Sequence, residues 1–158
     1  MANTQAMTTS FMGELMTATH NFGTAPVRAT GATDAFKAAL YLASATMNAS
    51  TTAYTAVNEV SGTGYSAGGV AVTFATPPTA TNSSATAGVA FVTPSASITY
   101  TTVTLTTAFD AVLIYNSTQS DKAVSVHTFG SQTITAGTFT LTMPANTTST
   151  ALIRLATT

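Results

Sequence analysis

The chain has 158 residues, enough for one domain with a real core, and 45% of them are hydrophobic, which excludes a disordered tail. Only 6% are charged, against about 25% in a typical soluble domain, and threonine dominates the polar remainder. The net charge is −1 with Arg28, Lys37, Lys122 and Arg154 scattered, so no basic patch can displace counterions from a nucleic acid; with no cysteine there is no disulfide, thiolate-bound zinc or thiol catalysis.

In chain order, residues 8–20 are the one helix candidate. Phe11, Met12, Leu15 and Met16 form an apolar stripe, Thr9 or Ser10 can cap it, Glu14 suits its early turns, and Gly23 with Pro26 ends it. This helix either plugs the domain's own core or forms an arm that docks on a neighbour. From residue 36 onward the pattern changes to strands. Residues 36–42 place Phe36, Ala38, Leu40 and Leu42 on one face and Lys37, Ala39 and Tyr41 on the other. Residues 70–74 and 88–92 are short apolar runs, with an exposed low-complexity loop over 77–87 between them.

Residues 98–105 alternate with a one-residue slip, Ile98 and Tyr100 and then Val103 and Leu105, which predicts a bulge near Thr101 and Thr102. Residues 111–115 read as a separate central strand buried on both faces. Residues 122–129 turn Val124 and Val126 inward and leave His127 facing solvent or a partner. Residues 138–143 and 151–155 complete the set, with turns expected at Gly130 and Gly137. Short strands separated by turns about every ten residues predict a mostly β protein: an antiparallel β-sandwich, jelly-roll-like or Ig-like, over residues 31–158, preceded by an N-terminal arm with a short helix and linker over residues 1–30.

Catalytic chemistry finds little support. His127, Asp110 and a serine could make a triad on paper, but no G-x-S-x-G elbow is expected and the serines sit in loops with no strand-to-helix turn beside them. Glu59 and Asp110 are the only carboxylate candidates for glycoside hydrolysis, and no His or acidic pair has ligand spacing on one element. The glycines from Gly62 to Gly69 lack the G-K-[ST] ending of a phosphate loop and fit a long turn with positive φ. The expectation is a non-enzyme with no cofactor and no metal. No run approaches the ~20 apolar residues needed to span a bilayer, and no signal peptide is evident, so manufacture in a cytoplasm without membrane association is expected.

Several phrases resemble a family of small tailed-bacteriophage virion proteins. They include Thr9-Ser10-Phe11-Met12-Gly13-Glu14-Leu15, Thr19-His20-Asn21-Phe22, Phe36-Lys37-Ala38-Ala39-Leu40-Tyr41 and Thr52-Ala53-Tyr54. The most specific is Asn58-Glu59-Val60-Ser61-Gly62-Thr63-Gly64-Tyr65-Ser66-Ala67-Gly68-Gly69, and Ala111 to Asn116 and Phe139 to Pro144 add to it. The resemblance implies a virion component made in the host bacterial cytoplasm. A capsid decoration or cement protein bound to the major capsid protein is expected first; a tail or head-tail accessory, or a displayed host- or carbohydrate-binding module, is the alternative. A neutral, hydroxyl-rich surface covered by partners agrees with this, as does homo-oligomerisation, with a trimer favoured. Phe11, Met12, Leu15, Met16, Phe22, Tyr41, Tyr54 and Tyr65 are the expected interface residues.

Overall fold

The strands form where β-branched and aromatic residues alternate most densely, and two of them are much longer than the sequence pattern suggests. The computed structural model describes residues 3–8, 11, 15, 19–20, 22, 34–76, 78–81 and 88–156. Among these, β1 is Ala6–Met7, β2 Phe36–Leu42, β3 Val70–Val72, β4 Thr79–Ala80, β5 Val89–Val92, β6 Ile98–Asn116, β7 Lys122–Leu141 and β8 Ile153–Ala156. They build two antiparallel sheets, ordered β1-β7-β6-β2-β3 and β4-β5-β8. The protein is thus mostly β, with the antiparallel sandwich architecture expected.

The β6–β7 hairpin is the spine. At its tip the Asn116 side-chain oxygen accepts the N–H groups of Thr118 and Gln119, each at 3.1 Å, while Ser120 and Asp121 take left-handed φ of 54° and 57°. The expected bulge is present: the register shifts between Tyr100 and Val103, and Thr102 has φ of 53°. Further shifts lie between Val103 and Leu105, Leu105 and Phe109, and Phe109 and Ala111.

These irregularities explain where the sequence pattern misleads. Residues 111–115 are the second half of β6 and not a separate strand. Gly130 and Gly137 lie inside β7 and do not end it, because bulges absorb the change of direction that a turn would otherwise supply. A shift between Ile114 and Tyr115 likewise puts Val124 and Val126 into different clusters. The loop expected over 77–87 contains β4, which pairs with β5.

The principal core lies between the sheets, with Phe36, Leu40, Val112 and Ile114 from one and Val92 and Ile153 from the other. Phe11 and Phe22 join it. Because side chains alternate along a strand, Ala39 and Tyr41 point the opposite way, into a second cluster with Ala45, Met47, Leu113 and Tyr115. The predicted helix over 8–20 lies mostly outside the described residues, as do Met12 and Met16.

Candidate functional site

The densest polar arrangement is centred on Glu59. Between β2 and β3 the chain turns back along the edge of β2, beyond the part that β3 covers: Glu59 bridges to Tyr41, the Val60 N–H donates to the Leu40 carbonyl, and the Leu42 N–H donates to the Asn58 carbonyl. An edge position lets one carboxylate serve both faces of the sheet. Glu59 Oε2 accepts the Tyr54 hydroxyl at 2.7 Å, and Oε1 accepts the Tyr65 hydroxyl and the Gly68 N–H, each at 2.7 Å. Short bonds of this kind to a charged acceptor are roughly twice as strong as neutral ones.

The other tyrosines complete the network. The hydroxyls of Tyr41, Tyr100 and Tyr115 donate to the carbonyls of Thr55 at 2.6 Å, Ala38 at 2.8 Å and Gly68 at 2.8 Å. Tyr54 stacks on Tyr115 with ring centroids 4.8 Å apart, and Tyr65 stacks on Tyr100 at 5.9 Å. All five tyrosines of the chain therefore have their hydroxyls bonded internally. Burial, reinforced by the Glu59 carboxylate, pushes the Tyr54 hydroxyl up to about 12 and raises that of Tyr65 as well. Burial is also the main cause of upward shifts at Tyr41, Tyr100 and Tyr115. Protonated phenols donating to a carboxylate and to carbonyls hold a loop in place; they leave Glu59 with its oxygens already engaged.

Glycine makes this loop possible at one point above all. Gly69 has φ of 74°, and a Cβ there would lie 1.6 Å from the Ala38 carbonyl oxygen. The run Gly64-Tyr65-Ser66-Ala67-Gly68 also has the G-x-S-x-G spacing of a hydrolase nucleophile elbow, a signal missed when serines are judged only by neighbouring elements. Here it leads into strand β3 without a helix, and among the described residues no histidine bonds to Ser66. The spacing therefore serves the turn.

Two further polar groups lie elsewhere. Asn116 Nδ2 reaches Asp34 Oδ2 at 2.8 Å and His20 Nδ1 at 3.1 Å, all three residues being buried, and this ties the N-terminal segment to the hairpin tip. On β7, Ser125 Oγ lies 2.8 Å from His127 Nε2, and both residues line a groove of about 300 Å³ together with Gln5, Met7 and Arg154. His127, expected to face solvent or a partner, is half-buried, and burial lowers its pKa to about 4. Ser125 is only 2% exposed. Asp110, the paper partner of His127, instead accepts from Asn3 Nδ2.

Of the expected interface residues, Phe11 is fully buried and Phe22 nearly so; with Phe36 and Phe74 they form a ring cluster whose centroids lie 4.7–5.7 Å apart. Leu15 packs partly buried on the same core. Tyr41 is fully buried, while Tyr54 and Tyr65 are half-buried in the Glu59 network. Among the described residues no three His or acidic side chains converge as for a metal, and no helix is long and apolar enough to cross a membrane.

Compared with known proteins, the chain matches no family model, no curated protein and no solved structure.

Proposed function

We propose that this chain is a non-catalytic structural component of a bacteriophage virion, a capsid decoration or cement protein that binds major capsid subunits. The observation that carries the reading is how the potentially reactive groups are engaged. Glu59, the five tyrosine hydroxyls and Ser125 are all hydrogen-bonded within the chain. What faces outward on the β6–β7 ribbon is a run of uncharged threonines, among them Thr99, Thr106, Thr107, Thr133, Thr138 and Thr140. Such a surface has little charge repulsion to keep copies or partners apart. The likeness of residues 58–69 to a phage virion family points the same way.

Quantitative mass spectrometry of purified particles tests it. A copy number matching the capsid lattice is the expected result; a single ring's worth of copies would move the protein to the tail or connector. Its absence from particles would overturn the reading altogether. A host- or glycan-binding role would instead appear as retention of the isolated chain on host cell envelopes.

A further inference from the structure

Among the described residues, one edge of the long ribbon is covered and most of the other is left unpaired. On the β6 side, the Thr104 N–H donates to the Thr63 carbonyl at 2.8 Å, and the chain from Gly62 to Gly64 lies against the strand. A Cβ at Gly62 would sit 2.1 Å from the Thr104 carbonyl oxygen, so the approach is as close as backbone allows. On the β7 side the cover is brief. Thr52 and Ala53 meet the strand at Ala123 and Lys122, and β1 pairs with Ser125 and Val126. Beyond Val126, every described backbone pairing of β7 runs inward to β6.

Natural sheets blunt an open edge with lysine, other charges, proline or bulges. From Thr128 to Leu141 there is no charged residue and no proline. Bulges do interrupt the middle of the strand, where the register shifts opposite Leu105 and Phe109. Residues 139–141 escape them, with Tyr100↔Phe139, Thr99↔Thr140 and Ile98↔Leu141 in continuous register. The shift opposite Thr138 is taken up on β6, where Thr101 and Thr102 face that single residue and Thr102 has φ of 53°. Along this piece Thr138 and Thr140 are exposed, while Phe139 and Leu141 are half-buried against the core. The Phe139 ring lies 5.2 Å from that of Phe109 and 5.0 Å from that of Phe129.

We propose that residues 137–141 are a homodimerisation site, at which a second copy of this chain adds antiparallel with Phe139 on the two-fold axis. The segment Thr138-Phe139-Thr140 reads the same in both directions, so in that register it is its own complement. Phe139 faces Phe139 of the second copy on the core side, and Thr138 faces Thr140 of the second copy on the outer side. Aromatic pairs and threonine pairs are both favourable cross-strand neighbours. The contact is isologous and closes at two copies, joining the two large sheets into one. No like charges oppose each other across it. A different partner would meet the same open backbone but would not be matched side chain for side chain in this way.

The test uses the purified full chain and does not rest on the virion reading, which stands or falls separately by copy number. Sedimentation velocity at roughly 100 µM should show a concentration-dependent dimer. The double substitution Thr138→Lys with Thr140→Lys places like charges opposite each other and should give a monomer with an unchanged circular dichroism spectrum. Thr138→Glu with Thr140→Glu should also be monomeric, and mixing the two variants should restore a dimer. The control pair Thr106→Lys with Thr107→Lys, exposed on β6 away from this edge, should leave the dimer intact. A wild-type monomer at that concentration, a trimer, or a dimer indifferent to the charges at 138 and 140 would each overturn the proposal.

Discussion

Glu59 illustrates how one side chain can set the position of a whole loop. Replacing it by glutamine keeps the size but removes the charge and turns one acceptor oxygen into a donor facing the Tyr54 or Tyr65 hydroxyl. Hydrogen bonds to charged groups contribute about 1.5–3 kcal/mol each, so Glu59→Gln should destabilise the fold by about 2–3 kcal/mol in urea titrations. The tyrosines add a pH dependence at the alkaline end. Their folded-state pKa values are raised, so the stability they contribute is complete below the unfolded value of about 10 and is lost as pH climbs from there toward 12 and above. Tyrosinate absorbance should therefore appear together with loss of the far-ultraviolet β signal, and not before it. His127 acts at the other end. Its lowered pKa of about 4 means that the unfolded chain binds the extra proton between there and about 6.5, so stability falls as pH drops through that window. His127→Gln should flatten this acid limb of the stability profile.

At the scale of elements, the long hairpin and the loop that crosses it follow different rules. Alternation identifies β2 to the residue, because its register with β6 is regular from Phe36 to Tyr41. It also locates the bulge at Thr101 and Thr102, because an extra residue shifts the phase of the buried positions. It fails at Gly130 and Gly137, since a glycine within a bulged strand and a glycine in a turn look alike in sequence. Gly69 is the element-scale position most sensitive to change. Gly69→Ala combines a left-handed φ with a collision against the Ala38 carbonyl, and should cost about 3 kcal/mol or more, read as a lowered melting temperature. Gly130 has open space around it, so Gly130→Ala should be nearly neutral or slightly stabilising in the same assay.

For the molecule as a whole, the N-terminal segment matters most through its aromatic rings. Phe11 and Phe22 sit in the core with Phe36 and Phe74, and β1 closes part of the β7 edge. Phe22→Ala should therefore lower the stability of the isolated chain by about 3–5 kcal/mol, measured by denaturant unfolding. Phe11→Asp, which would bury a carboxylate at a fully enclosed position, should prevent folding of the isolated chain and not merely weaken an assembly. Had these rings served only an external contact, both variants would fold normally and fail at assembly alone.

The sequence by itself determined the β class, the antiparallel sandwich, the position of β2, the bulge near Thr102 and the need for glycine in the loop before β3. Each of these follows from local rules, namely side-chain alternation and backbone freedom, which are written along the chain. Only the tertiary structure decided that Glu59 gathers Tyr54, Tyr65 and Gly68, that Asn116 meets His20 and Asp34, and that Ser125 meets His127. Asn116 is separated by 96 residues from His20 and by 82 from Asp34, so no spacing rule could pair them. The stretch of β7 edge left unpaired among the described residues is a tertiary property as well. The threonines of residues 137–141 are plain in the sequence, but which strand lies beside them is set by the fold.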